Sequence, residues 1–226
     1  MVTFGFLGIL GLVFGSFLGA LTYRFPRSIS IAKGRSVCPK CKKEIGWYDN
    51  IPLFSFLLLG GHCRNCHEKI SIRYPLIELV TAITFIVVGF NLINLVLVSV
   101  LISIFVIDME HEIIPDELVF FGLFIFLINS NFNLNLLLPG FLSAIFLLVL
   151  NIITKGKGMG LGDVKLALLL GTMAGPNLFL NWLFFSFATG AVVGILLIIG
   201  KKATMKQKIA FGPFLIIGFL LALFIK

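Results

Sequence analysis

The sequence predicts an all-α polytopic membrane protein with about eight transmembrane helices and a small cytoplasmic domain inserted between helices 1 and 2. Hydrophobic residues make up 59% of the 226 residues and charged residues 12%, and the mean hydropathy is +1.10. Soluble globular domains do not have this composition. Apolar segments near the ~20 residues that cross a bilayer recur along the chain. One polar segment, which contains all four cysteines, interrupts them.

The predicted spans cover, in order, residues 2–23, 74–90, 92–108, 115–129, 134–153, 163–175, 177–200 and 209–225. The first span has Arg24 and Arg27 after it and no positive residue before it, the reverse of a signal peptide, so we expect it to remain as a helix. Gly and Pro break the segments around 158–176, which indicates non-helical backbone that is buried or lines a cavity. We recognise no internal repeat in the sequence.

The positive charges predict the topology. Of the 18 Lys and Arg residues, ten lie in 24–73, three in 155–165 and four in 201–208, and only Lys226 lies elsewhere. Because short cytoplasmic loops carry the positive excess, these loops are predicted to be cytoplasmic and both termini outside. The predicted outer loops, around 91, 129–135 and 175–177, contain no Lys or Arg. The net charge of +8 therefore reflects orientation and contact with anionic lipid of the bilayer, and we expect no nucleic-acid partner.

The polar segment 24–73 contains the pairs CPKC and CRNC, separated by 21 residues. Two such pairs predict one closed structural Zn²⁺ site, which would make the segment a small cytoplasmic zinc-binding domain. Cytoplasmic thiols are kept reduced, so a redox or disulfide role is the weaker alternative. His62 and His67 could replace a ligand, but we interpret them as solvated loop residues. The predicted ligands are Cys38, Cys41, Cys63 and Cys66.

The acidic residues are few and unevenly placed. Five of the ten fall in DMEHEIIPDE, positions 108–117. Asp116 and Glu117 follow Pro115 at a predicted helix start, where acids stabilise the positive end of the helix dipole, and we interpret them in that way. Asp108 closes the third span at the negative end of its helix, where a carboxylate is disfavoured. That position calls for another explanation.

Asp163 is the second unusual carboxylate, because it lies between the turn GMGLG and the helix VKLALLL. A charge at membrane depth costs about 2.5–3.5 kcal/mol even on the lenient insertion scale. Its simplest structural role is the N-cap of a helix. Alternating topology brings the end of span three and the start of span six to one cytoplasmic face, so Asp108 and Asp163 can meet. Two close carboxyls that share a proton provide a base and an acid, as in aspartic proteases.

Ordered motifs extend along most of the chain: FGSFLGALTYRFP, CPKCKKEIGWYDNIPLFSFLLLGGHCRNC, ISIRYPLIELVT, DMEHEIIPD, GMGLGDVKL and FGPFLIIG. With these motifs the chain resembles the type IV prepilin peptidases, GxGD membrane aspartic proteases that also act as N-methyltransferases. The resemblance implies that Asp108 and Asp163 are the catalytic pair and that the substrates are prepilins or pseudopilins. Cleavage would follow a Gly at the end of a short basic leader, and Gly158, Gly160 and Gly162 would let substrate backbone approach.

The resemblance also implies methylation of the new amino terminus with S-adenosylmethionine. The sequence has no strand followed by GxGxxG, so a soluble dinucleotide-type fold is not expected. Gly60, Gly61 and Glu78 are the candidates for methyl transfer. Glu78 has an equal alternative role, an ion pair with Arg73 or Arg24.

The expected organisation is a first helix (1–23), the zinc domain (24–73) and a membrane peptidase domain (74–226). The expected location is the bacterial inner membrane, with the active site facing the cytoplasm. A further hypothesis is that Glu110 and Glu112, with Asp116 and Glu117 nearby, form an acidic collar that attracts the basic leader. A merely solvated acidic loop explains the same residues.

Three other functions remain open. The aspartate pair could act on preflagellins or signal-peptide fragments. The chain could be a transporter or assembly scaffold whose carboxylates relay protons. It could also be a methyltransferase without proteolysis. The sequence alone predicts neither the pathway that the substrates serve nor the oligomeric state.

Overall fold

The computed structural model describes residues 2–31, 34–156, 158–200 and 209–225. These residues form eight α-helices and, apart from two isolated bridges, no strand pairing, so the all-α prediction is confirmed. Four helices are long and apolar enough to cross a membrane, namely α1, α4, α6 and α7. A total of eight spans stays a prediction, and the basic loop 201–208 lies outside the described residues. The helices are α1 Val2–Arg24, α2 Phe54–Leu58, α3 Arg73–Val88, α4 Leu92–His111, α5 Asp116–Asn129, α6 Leu134–Ile153, α7 Leu161–Ile199 and α8 Gly212–Phe224.

The chain divides into two compact units, one up to Ser103 and one from Ile104. In the first unit α1 packs closely on α3. A Cβ at Gly11 would lie 2.5 Å from the Ala82 Cα, and one at Gly15 would lie 2.6 Å from the Glu78 Cα. Small residues allow this backbone approach, which drives helix association in lipid, where the hydrophobic effect between helices is absent.

In the second unit α7 packs on α6 and α8, again through glycines. A Cβ at Gly140 would overlap the Thr172 hydroxyl, and one at Gly218 would overlap the Ser186 hydroxyl. Trp182 is fully buried and its Nε1 donates to the Leu215 carbonyl at 2.8 Å. The indole thereby satisfies its one donor inside the bundle.

Within α7 the chain reverses at Gly175, whose backbone is non-helical (φ +64°, ψ −176°). A Cβ there would contact Leu136 of α6, and Phe187 lies 6.0 Å from Phe146, ten residues further along α6. The ten residues from Leu136 to Phe146 rise about 15 Å along α6, and the twelve from Gly175 to Phe187 rise about 18 Å. Because these two lengths are similar, the chain after Gly175 runs alongside α6 in the same direction as α6. This break lies where the sequence predicts a turn between two spans.

The polar segment of the first unit contains two matching hairpins, residues 36–45 and 61–70. In each, the first cysteine N–H donates to a carbonyl five residues ahead, and the residue after the second cysteine donates back to the first cysteine carbonyl. Lys42 and His67, which follow the second cysteines, both have positive φ, 60° and 55°. The statement that the chain has no internal repeat was therefore wrong. Beyond the cysteines, only the isoleucines Ile45 and Ile70 occupy equivalent positions, which is too little for the repeat to stand out in the sequence.

Candidate active site and metal centre

Asp108 lies in the last turn of α4, as predicted, and is 4% exposed. Its Oδ2 is buried and has no hydrogen-bond partner among the described residues. An ideal Cβ at Gly212, the first residue of α8, would lie 2.5 Å from that oxygen. The start of α8 therefore comes close to the carboxyl, and only glycine leaves this space free.

Asp163 lies in the first turn of α7 and is 7% exposed. The helix begins at Leu161, and Gly160 is its N-cap. Asp163 is not the N-cap. Its Oδ2 instead accepts the Gly160 N–H at 2.9 Å, so one carboxylate oxygen satisfies a donor that the helix leaves free. The capping contact accounts for the position of Asp163 but not for its burial beside a second carboxyl.

Asp108 and Asp163 lie close enough for the charge of Asp163 to act on Asp108. Ile114, which is buried, lies against both helix starts that surround the pair. Its side chain would be 3.0 Å from a Cβ at Gly162 and 3.1 Å from a Cβ at Gly212. The described structure thus brings the two predicted carboxyls together, and Ile114, in the segment after α4, packs beside them.

The end of α6 holds the glycine-rich turn in place. The Asn151 side-chain amide donates to the Met159 carbonyl at 2.5 Å, and the Gly158 N–H donates to the Thr154 hydroxyl at 3.3 Å. Residue 157, within this turn, lies outside the described residues. Asn151 was missed from the sequence, because a lone polar residue near a helix end has no motif around it. Gly212 lies in the motif FGPFLIIG, and nothing in that motif indicates that it contacts Asp108.

The other acidic residues near the end of α4 have different surroundings. Asp116 is the first residue of α5 and pairs with Lys165 of α7 at 2.6 Å, and both side chains are exposed. Glu112 is exposed, and its charge also acts on Asp108. Asp116 is therefore neutralised by a lysine, while Glu112 adds negative potential beside the aspartate pair.

The four cysteines form one cluster in which every Sγ lies within 4.8 Å of the others. The Cys38 and Cys66 sulfurs are 3.9 Å apart. Tetrahedral Zn²⁺ with Zn–S bonds of about 2.3 Å places its sulfurs about 3.8 Å apart, so the donor set fits the predicted ion. Cys38 is buried, Cys41 and Cys63 are intermediate, and Cys66 is exposed.

Backbone N–H groups of Cys66 and Asn65 lower the pKa of the Cys63 thiol to about 7. The backbone N–H of Glu68 acts to lower the pKa of the Cys66 thiol. Burial and the three neighbouring thiols outweigh it and raise the pKa of Cys66 to about 11. Neighbouring thiols thus favour ionisation of Cys63 and oppose ionisation of Cys66, and a bound cation would favour the thiolate form of all four cysteines. Neither His62 nor His67 belongs to the group within the described residues, and the Gly60 carbonyl accepts a hydrogen bond from His62 Nδ1 at 2.7 Å.

Gly60 and Gly61 both have left-handed backbone, with φ of +56° and +71°, and form the turn after α2. Glu78, in α3, accepts the Leu53 N–H at 2.8 Å and interacts with the Ser16 hydroxyl. The alternative role of Glu78, an ion pair with Arg73 or Arg24, stays a prediction. A cavity of about 150 Å³ nearby is bounded by Tyr48, Phe54 and Arg64 among others, and none of the three methyl-transfer candidates lines it.

Comparison with known proteins gives two family matches. Residues 9–92 match the "Bacterial Peptidase A24 N-terminal domain" and residues 95–195 match the "Type IV leader peptidase family". The "Prepilin leader peptidase/N-methyltransferase" of Bacillus subtilis (strain 168) is 35% identical over 95% of this chain and 91% of its own length. The protein of the same name from Pectobacterium carotovorum is 32% identical over 95% of this chain and 90% of its own. No solved structure matches the chain.

Proposed function

The chain belongs to the type IV leader peptidase family, and from this we propose that it is a membrane aspartic endopeptidase that removes the basic leader of type IV prepilins or pseudopilins. Relatives named prepilin leader peptidase/N-methyltransferase match this chain over 90–91% of their own length. The observation that carries the proposal is the buried pair Asp108 and Asp163, which the fold brings together although 54 residues separate them.

The surroundings of the pair support different roles for the two carboxyls, one as the acid and one as the base. The charge of Asp163 acts on the buried Asp108, and two neighbouring buried carboxyls favour holding one proton between them, because ionising both in a poorly solvated site is costly. Asp163 is held by the Gly160 N–H, whereas the Asp108 carboxyl interacts with the Gly212 backbone N–H, and its Oδ2 has no partner of good hydrogen-bond geometry among the described residues. An unpaired buried acceptor is a natural position for a water molecule or a substrate group.

In the proposed reaction the ionised carboxylate takes a proton from water while the water oxygen attacks the scissile carbonyl carbon. The protonated carboxyl donates to the carbonyl oxygen and stabilises the tetrahedral intermediate. Collapse of the intermediate breaks the C–N bond, and a carboxyl returns a proton to the leaving amine. Cleavage after Gly at the cytoplasmic membrane face is part of the proposal. Gly160 supports it, because a Cβ there would lie 3.5 Å from Asp163 Oδ2, and its absence leaves that side of the carboxyl open to substrate backbone.

The first prediction concerns the pair itself. Asp108→Asn and Asp163→Asn keep the size of each side chain but remove the shared proton, so cleavage of a prepilin-like substrate by the purified protein should fall by at least about a thousandfold, near 4 kcal/mol. Product mass would locate the cut. Asp116→Asn is the matched control, because Asp116 is exposed and paired with Lys165, and it should retain cleavage. Full activity in either Asn variant of the pair would refute the assignment.

The four cysteines fit a structural Zn²⁺, and we propose that Cys38, Cys41, Cys63 and Cys66 hold it. The ion would join the two hairpins of a segment with little core of its own. It would leave no open coordination position, so the reaction above does not pass through it.

Methylation of the new amino terminus with S-adenosylmethionine is proposed from the names of the relatives alone. The residues predicted for it do not fit a cofactor site in the described structure. The two cavities described in this unit, of about 150 and 260 Å³, are both smaller than the ~300 Å³ at which small-molecule sites begin, and none of the three candidate residues lines either cavity. The Glu78 carboxylate is occupied by the Leu53 N–H. We therefore derive no step of methyl transfer from these residues.

A further inference from the structure

The backbone at Leu53 adopts an unusual conformation. Its φ is +57° and its ψ −46°, and the Phe54 N–H donates to the Pro52 carbonyl at 2.6 Å across it. This is a γ-turn of the rare, positive-φ form, which is strained for a residue with a side chain. Such strain persists only where the surroundings hold it, and it is a reason to look for a function.

A buried carboxylate holds the turn. The Leu53 N–H donates to Glu78 Oε2 at 2.8 Å, and Glu78 is 7% exposed. Glu78 is the sixth residue of α3, a predicted membrane span, and it packs against Gly15 of α1. A carboxylate in this apolar setting needs a donor, and the strained turn supplies one.

This hydrogen bond sets the depth of the turn along α3. The half-buried guanidinium of Arg73, at the start of α3, donates to the Gly19 carbonyl and the Thr22 hydroxyl of α1. Glu78 lies opposite Gly15, which is four residues from Gly19 toward the amino end of α1. Glu78 therefore lies about 6 Å further from the polar end of the two helices than the Gly19 carbonyl. The loop that contains Leu53 is therefore drawn below the level at which the arginine marks the polar end of both helices.

Around this turn, the segment 47–58 exposes large apolar side chains. Trp47 is 80% exposed, and the others are Tyr48, Ile51, Phe54, Leu57 and Leu58. Such a patch on a water-soluble surface marks an interaction site. Trp and Tyr are enriched where membrane meets water, and the ten Lys and Arg against three acidic residues in 24–73 complement anionic headgroups.

We propose that the segment 47–58 lies in the headgroup region of the lipid bilayer, and that Glu78 anchors it there through the Leu53 N–H. The cysteine-containing domain is then fixed on the membrane surface by its own apolar loop. This inference does not depend on the proposed peptidase reaction.

The test uses the full-length protein in vesicles of phosphatidylcholine and phosphatidylglycerol. The chain has two tryptophans, so Trp182→Phe leaves Trp47 as the only reporter. Lipids brominated near the headgroup should quench its fluorescence at least twofold, more than lipids brominated near the chain end, and aqueous iodide should quench it weakly. Trp47→Phe, which reports the fully buried Trp182, supplies the baseline.

Anchoring by Glu78 is tested in the same Trp182→Phe background. Glu78→Met removes the acceptor and should lower lipid quenching of Trp47 at least twofold, whereas Glu78→Gln keeps a carbonyl acceptor and should preserve it. Equal quenching in the Met and Gln variants would overturn the anchor. If the Met variant does not fold, the depth profile of Trp47 still decides the membrane placement.

Two other outcomes would overturn the membrane placement. In the first, Trp47 is insensitive to brominated lipid and becomes shielded from iodide only when a prepilin-like peptide is added, which would make the segment a substrate-docking surface. In the second, shielding depends on protein concentration, which would make it a contact between two copies of the chain.

Discussion

Gly212 shows how one residue without a side chain can determine the geometry of a catalytic pair. A Cβ at this position would lie 2.5 Å from Asp108 Oδ2 and 3.1 Å from the Ile114 side chain. A methyl group at this position would therefore require the Asp108 carboxyl or the start of α8 to move. The residue touches the carboxyl without taking part in the chemistry, so we regard it as a positioning residue.

The second prediction is that Gly212→Ala lowers the cleavage rate at least about tenfold, or 1.4 kcal/mol, because Asp108 must move. Gly194→Ala is the matched control, since a Cβ at Gly194 meets nothing within 4 Å. It should leave the rate unchanged. Steady-state cleavage with helical content by circular dichroism would measure both effects. Equal rates for the two variants would show that the Asp108 carboxyl tolerates the methyl group.

At the residue level, chemistry was easier to predict than contacts. Asp108 and Asp163 could be selected because each carboxylate conflicts with its position in the sequence, and the structure buries both. Asn151 and Gly212 carry no such conflict. Their roles arise from atoms that are distant in sequence, the Met159 carbonyl and the Asp108 carboxyl, and only the packed structure shows them.

The two cysteine hairpins are the elements whose stability depends most on a bound ion. They join through their sulfurs, and the segment between them exposes most of its large apolar side chains. Structural Zn²⁺ supplies about 10–16 kcal/mol of binding free energy in small zinc-finger peptides. A contribution of that size would dominate the stability of a segment with so little core.

The third prediction is that the purified protein contains one Zn²⁺ per chain, lost in Cys38→Ser and Cys41→Ser. Trypsin should then cut within 36–70, which carries several lysines and arginines, while the helical content changes little. His67→Ala is the control and should keep its metal, because His67 is outside the sulfur cluster. Elemental analysis and peptide mapping measure these outcomes. Protein with neither zinc nor free thiols would contradict the site.

Helix positions were predictable because apolar length and charged flanks mark them, and α6 begins and ends at the predicted residues. Boundaries near the site were less accurate. The third predicted span stops at 108, whereas α4 continues to His111, and α7 begins two residues before the predicted 163. At the start of α7 the hydrogen bond from the Gly160 N–H to Asp163 accounts for the earlier helix start.

For the whole molecule the distribution of charge makes a topological prediction. All basic clusters fall in loops predicted to be cytoplasmic. Asn129, at the end of α5, and Ile153, at the end of α6, are exposed and should lie on opposite sides of the membrane.

The fourth prediction is that a membrane-impermeant maleimide labels Asn129→Cys in intact cells, but labels Ile153→Cys only after permeabilisation. The unmodified chain is the control, since its four cysteines lie in a predicted cytoplasmic segment and should be labelled only in permeabilised cells. Labelling of both variants from outside would reject the topology.

The fifth prediction concerns attraction of the substrate. Glu112 is exposed close to the aspartate pair, and its charge acts on Asp108. If the acidic collar attracts the basic leader, Glu110→Gln with Glu112→Gln should lower kcat/KM severalfold at low salt, with little difference at high salt, where such attraction is screened. The Asp116→Asn variant is the control, because Lys165 already neutralises that carboxylate. Identical salt dependence in all variants would favour the plain solvated loop.

The unequal burial of the four sulfurs gives the cluster a protected side and an open side. Cys38 is buried in the first hairpin, whereas Cys66 is exposed in the second. Ligand exchange at a closed metal site starts at the bond that an incoming ligand can reach. Transfer of the ion to a chelator, or reaction with an oxidant, would therefore begin at Cys66 and end at Cys38. The second hairpin would detach first, and the first would keep the partly released ion.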